Sequence, residues 1–127
     1  MRENLLLELI NSLNPDVVFL QEIKCQDNEF PLIYKEKNYN LVIKGEKGKY
    51  GVAILIKKKI EFEEINFESG IFQSEARICG IKVKNKLNLH LINIYAPNGN
   101  PIESKEKLSY KIKWYSELHK VIKKLIN

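Results

Sequence analysis

Four apolar residues in a row, Val17-Val18-Phe19-Leu20, lie between the breaker pair Asn14-Pro15 and the polar pair Gln21-Glu22. Two of the four are β-branched, and a short apolar run bounded in this way reads as a buried strand over 16–20. It stops abruptly, so the Glu22 carboxylate stands just past the strand's carboxyl end. In open α/β sheets that edge is where ligands and catalytic groups gather. Ahead of the strand, Leu5, Leu6, Leu9, Ile10 and Leu13 form a helical stripe that Asn14-Pro15 ends.

Further along, strand patterns at 39–44 and 50–58 flank a glycine-bearing polar loop, Gly45-Glu46-Lys47-Gly48-Lys49-Tyr50, and read as a hairpin. A short helix is expected near Leu32-Ile33-Tyr34, another strand over 60–66, and a turn at Ser69-Gly70. A second hairpin joins 77–84 to 87–96 through Lys84-Asn85-Lys86, with Leu87, Leu89 and Leu91 alternating against Asn88 and His90. Over 104–125, Leu108, Ile112, Tyr115, Leu118, Ile122 and Leu125 recur every three or four residues. That spacing marks an amphipathic helix with Ser104 as N-cap. The order predicts an α/β (α+β) fold: one mixed, mostly antiparallel sheet with helices on one face, and any second layer supplied from outside these residues.

A length of 127 residues fits one domain, and 44% hydrophobic content is globular rather than disordered. No apolar run approaches the roughly 20 residues that span a bilayer. The start Met1-Arg2-Glu3-Asn4 does not read as a secretory signal, so no membrane and a cytoplasmic location are expected. Net charge is +5, and all but two of the 21 basic residues are lysine. The excess favours polyanion partners, although a lysine-rich coding bias accounts for it equally. Cys25 and Cys79 belong to no metal-binding cluster and are expected as thiols, Cys79 as a small buried hydrophobe.

Two side chains stand where chemistry is easiest to place. Glu22 offers one carboxylate, and hard divalent cations are often held by one or two carboxylates with water and substrate phosphate. Taken alone it reads far more readily as an exposed loop residue than as a ligand. Tyr95 ends the last strand before Ala96-Pro97-Asn98-Gly99, where a phenol can donate to charge developing on a phosphate or simply cap the strand. The Gly45–Gly51 loop lacks a Walker pattern and precedes a strand, which argues against a nucleotide P-loop. Neither His90, on a strand, nor His119, on a helix, reads as a general base.

Together, Pro15-Asp16-Val17-Val18-Phe19-Leu20-Gln21-Glu22-Ile23-Lys24-Cys25-Gln26 and Ile92-Asn93-Ile94-Tyr95-Ala96-Pro97-Asn98-Gly99 resemble the exonuclease III branch of the endonuclease/exonuclease/phosphatase superfamily. Phe30-Pro31 fits the same pattern, as do Tyr110, Lys111 and Trp114 in the last helix. The resemblance implies that Glu22 is a ligand of a catalytic Mg²⁺ or Mn²⁺, Tyr95 an active-site phenol, and Asn98 a contact to a substrate phosphate. It further implies that Lys49 and Tyr50 touch a DNA duplex, that Arg77 grips a phosphate bidentately, and that Lys111 reaches DNA. The implied partner is double-stranded DNA with abasic sites or 3′ ends.

The resemblance also implies incompleteness: residues 1–127 match the amino-terminal part of a single domain, half of the family's four-layer α/β sandwich. The family's first strand with its metal-site Asn, the Gly-Asp-x-Asn segment, a late Asp and the Ser-Asp-His pair have no counterpart here. The expected function is the amino-terminal portion of an abasic-site endonuclease and 3′-5′ exodeoxyribonuclease. That portion would be inactive alone for want of a base to activate water, and would leave an apolar sheet face uncovered. A complementing carboxyl-terminal chain would supply the rest. Two alternatives stay open: a non-catalytic remnant that binds nucleic acid or a partner, and a phosphodiesterase of the same superfamily acting on a phosphoinositide, sphingomyelin or an RNA end.

Overall fold

The computed structural model describes residues 3–67, 69–98 and 104–126. Helix α1 (Glu3–Leu13) closes where Asn14 takes a left-handed φ of 47° while its N–H bonds the Ile10 carbonyl at 2.9 Å. Asn tolerates that conformation better than most residues, and Pro15 prevents continuation. Strand β1 (Val17–Gln21) follows, then a 3₁₀ turn at Asp27–Glu29, a one-turn helix α2 (Ile33–Glu36), and strands β2 (Tyr39–Lys44) and β3 (Val52–Lys57). The second half contains β4 (Phe62–Glu64), α3 (Gly70–Ser74), β5 (Ile78–Val83), β6 (His90–Ile94) and the long helix α4 (Lys105–Ile126).

The α/β class holds, but the single sheet does not. Six strands divide between two three-stranded antiparallel sheets, ordered β1-β3-β2 and β4-β5-β6. The reason lies in β3, whose residues Val52 to Ile56 are all completely buried. An antiparallel strand that is apolar on both faces needs a layer on each side. Val52, Ile54 and Ile56 pack against Cys79, Ile81 and Val83 of the other sheet. Ala53 and Leu55 face Ile10, Phe30, Tyr34 and Tyr39 on the helical side. The second sheet turns Ile78, Ile92 and Ile94 outward onto Phe72, Trp114 and Leu118. The result is four layers, helices outside and two sheets within, so the sheet face expected to lie bare is covered by this chain's own residues.

Two local readings also shift. Strand β6 starts at His90, because Asn88 adopts φ 49° in a turn closed by its N–H to the Asn85 carbonyl; Leu87 is left 78% exposed. Ser69-Gly70 begins α3 rather than forming an isolated turn. In α4 the buried face runs through Tyr110, Trp114, Leu118, Val121, Ile122 and Leu125, while Leu108, Ile112 and Tyr115 are exposed. The rotation follows from Trp114, whose large ring is wholly buried edge-on to Phe72 with centroids 5.6 Å apart. Ser104 does cap this helix, its hydroxyl accepting from the Lys107 N–H at 3.3 Å.

Neither cysteine forms a disulfide, and Cys79 is buried between the sheets. Burial pushes its thiol up to about 12.

Two outcomes follow from this packing. Ile54→Ala is expected to lower unfolding stability by about 2–5 kcal/mol in urea titration. Ile112→Ala, at a residue 62% exposed, is expected to change it by less than about 0.5 kcal/mol. In a thiol-reagent time course near neutral pH, the half-buried Cys25 should react first and Cys79 only on unfolding.

Candidate active site

The carboxyl ends of β1 and β6 meet at one pole of the sandwich. What joins them is Asn93, an amide 1% exposed among apolar neighbours. Its Nδ2 donates to the Leu20 carbonyl at 2.8 Å and to the Ala53 carbonyl at 2.9 Å, two residues paired with each other across β1 and β3. Its Oδ1 accepts from Gln21 Nε2 at 3.4 Å, and the same Gln21 amide donates to the Ile94 carbonyl. A buried amide is tolerated only when its hydrogen-bonding groups are used, and here they tie one sheet to the other.

The backbone just past β1 is unusual. Glu22 and Lys24 have φ of 53° and 54°, and facing Tyr50 has φ of 50°. Left-handed backbone is uncommon outside glycine and asparagine, and it concentrates where surrounding structure enforces it. Here the enforcement is visible: Ile23 N–H bonds the Gly51 carbonyl at 3.2 Å and Lys24 N–H bonds the Tyr50 carbonyl at 2.9 Å. Gly51, at φ 93°, could carry no side chain, because a Cβ there would stand 2.5 Å from Ile23 Cγ1.

This turn presents the exposed Glu22 carboxylate to the Tyr95 hydroxyl, which donates to Glu22 Oε1 at 2.6 Å. The Tyr95 phenol is raised above its ordinary range, first by that hydrogen bond and then by burial and the Glu22 charge, with Arg77 opposing. It is therefore protonated at neutral pH and acts as a donor.

Beside Tyr95 lies a cavity of about 450 Å³ lined by Tyr50, Glu75, Arg77, Asn98, Lys107 and Tyr110 among others. Arg77 is nearly buried beneath it. Nε and Nη2 lie 3.2 and 3.1 Å from Glu75 Oε2, and Nη1 donates to the Tyr95 carbonyl at 3.1 Å. The guanidinium carbon stands 4.2 Å from the Tyr50 ring centre and 5.4 Å from that of Tyr95. One cation thus braces both phenols. Burial pushes the Glu75 carboxyl up, yet hydrogen bonds from Tyr110, Arg77 and Tyr50 outweigh it and leave the group below its usual range.

Of the residues singled out in the sequence, the structure gathers Glu22, Tyr50, Arg77, Tyr95 and Asn98 at this pole. Much of the Arg77 donor fork is engaged by Glu75 and the Tyr95 carbonyl. Lys49 projects from the adjoining loop, 3.5 Å from Glu46 and 5.2 Å from the Tyr50 ring centre. Lys111 is half-buried on α4 and does not line the cavity. His90 starts β6 at the opposite end from Tyr95. Three contributors escaped the sequence reading: Gln21, Glu75 and Asn93. Only Asn93 carried a signal, as an amide interrupting the apolar run Leu91–Ile94 on the strand's inward side.

The fold defines a four-layer α/β sandwich with a polar site where the two sheets end together. The chain belongs to the Endonuclease/Exonuclease/phosphatase family, whose model it matches over residues 2–116. It is 32% identical over 125 residues to exodeoxyribonuclease III of Haemophilus influenzae, covering 97% of this chain and 47% of that protein. A DNA-(apurinic or apyrimidinic site) endonuclease of Dictyostelium discoideum is 28% identical over 123 residues, covering 93% of this chain and 32% of that one. The solved structure of an AP endonuclease from Archaeoglobus fulgidus superposes with a TM-score of 0.82 at 29% identity, over 97% of this chain and 46% of its own length. The chain therefore spans about half the length, or less, of the relatives it matches.

Because the Glu75 carboxyl is depressed, it favours the fold above its unfolded value near 4.5 and loses that contribution as pH falls. Glu75→Gln is expected to cost about 2 kcal/mol at pH 7, through the uncompensated Arg77 charge. The gap from the unaltered chain should narrow below about pH 4 in denaturation curves taken across pH.

Proposed function

We propose that this chain forms the amino-terminal part of a metal-dependent DNA repair nuclease domain, acting on abasic-site duplexes and 3′ ends. The observation that carries the reading is the 2.6 Å contact between Tyr95 and Glu22, beside a cavity braced by Arg77. The relatives' names supply the substrate class.

The donor set is consistent with a hard divalent cation. Among the described residues no group of three His, Cys, Asp or Glu could form a cage. One exposed carboxylate matches the way Mg²⁺ or Mn²⁺ is held with water and substrate phosphate. Glu22 would hold the ion, which when bound supplies charge stabilisation at the phosphoryl oxygens. Tyr95, protonated, would turn its single O–H from Glu22 to a phosphate oxygen as charge grows there. Asn98 contributes an amide at the cavity edge, while Arg77 keeps Tyr50 and Tyr95 in place and adds positive potential. Lys49 and Tyr50 would meet the duplex on the loop side, with Lys111 further out. Among the described residues none at this pole is placed to activate water, so cleavage would need further segments, in the same polypeptide or in a complementing chain. Among the described residues no helix is long and apolar enough to cross a membrane, and a cytoplasmic location accords with DNA as the substrate.

The test is incision of an abasic-site duplex with Mg²⁺, by the 127-residue chain alone and mixed with a chain supplying the rest of a family domain. Incision is expected only in the mixture, with Glu22→Gln lowering it by about 10²-fold or more. No incision in the mixture overturns the nuclease reading. Steeply salt-dependent DNA binding without cleavage would leave a binding role instead.

A further inference from the structure

We propose that Asn93 and Gln21 are positioning residues, whose side-chain amides hold the end of β1 against β6 and thereby keep the Glu22 carboxylate on the Tyr95 phenol. The functional meaning of this device rests on the proposed nuclease reading; the device itself does not.

The inward positions of β6 are Leu91, Asn93 and Tyr95, and the facing strand β3 offers Val52, Ile54 and Ile56. An apolar side chain would suit Asn93's surroundings better than an amide, since burying polar groups opposes folding unless every bond is remade. All of its polar atoms are in fact used, and each contact lies next to a site residue. The bonded carbonyls belong to the Leu20–Ala53 rung, one step before the Gln21–Val52 rung that leads into Glu22. Asn93 itself sits two residues before Tyr95 on the same face of the strand. Gln21 doubles the tie by reaching both Asn93 Oδ1 and the Ile94 carbonyl.

Other bonds at this pole do different work. Ile23 and Lys24 anchor the turn to residues 50–51, and Tyr95 N–H bonds the Arg77 carbonyl at 2.7 Å; each stays on its own sheet's side. Gly51 N–H to the Ala76 carbonyl, at 2.9 Å, does cross between the halves, but it holds the start of β3 rather than the end of β1. Glu22 and Tyr95 lie 73 positions apart in the chain and on different sheets. Among the described residues, the hydrogen bonds that run from β1 to β6 come from these two amides.

The test uses the whole chain without metal, read by NMR cross-peaks between the Tyr95 ring and the Glu22 side chain. The unaltered chain should show them. Asn93→Leu and Gln21→Leu should lose them while the Phe30–Tyr34 ring contacts, on the far face of the first sheet, persist. A residue that merely stabilised the fold would lower the melting temperature without moving this signature. Should Asn93→Leu not fold, Gln21→Leu decides alone, because that side chain is solvent-exposed. Cross-peaks kept at full intensity in the folded variants, or absent from the unaltered chain, overturn the proposal. The incision assay in the complemented mixture reads the nuclease function separately: no incision there would defeat the nuclease reading and leave the positioning role intact.

Discussion

The amides of Asn93 and Gln21 tie the ends of β1 and β6 together, and the site depends on that tie. Two three-stranded sheets packed through aliphatic side chains gain from water exclusion without directional preference. Hydrogen bonds are directional, and unmade ones in a dry interior are costly. By satisfying two carbonyls of one sheet and the Gln21 amide at once, Asn93 selects the offset at which β1 and β6 end side by side.

Around that alignment the pole is built from mutually dependent charges and rings. Arg77 would be costly to bury alone; Glu75 balances it, and Tyr50 and Tyr110 hydrogen-bond the carboxylate in turn. The guanidinium then supports Tyr50 and Tyr95 from below. Each member is placed by the others, so the group is held in one arrangement by its own contacts. The left-handed backbone at Glu22, Lys24 and Tyr50 is the strain that this arrangement tolerates.

Family membership and partial coverage fit the same picture. The chain superposes closely on about half of a solved relative while containing four layers of its own. Half the length thus does not mean half the layers: both sheets are present here, and the residues that meet at their shared pole come from each.

The local elements were legible from sequence because they are written in short-range patterns. Asn14-Pro15 ends a helix, Val17–Leu20 makes a strand, and the glycine loop before Val52 makes a hairpin. Glu22 and Tyr95 could be singled out because each closes an apolar run. The division into two sheets was not legible, since nothing local states which strands share a ladder; two-sided burial of β3 decided it. Nor could periodicity choose the buried face of α4, which Trp114 turned toward Phe72 because its ring hides the most apolar area. Sequence alone determined where the carboxylate and the phenol stand at the ends of their strands. Only tertiary structure brought them to 2.6 Å, because contact between residues 73 positions apart depends on how two sheets align, and a buried amide between those sheets is what aligns them.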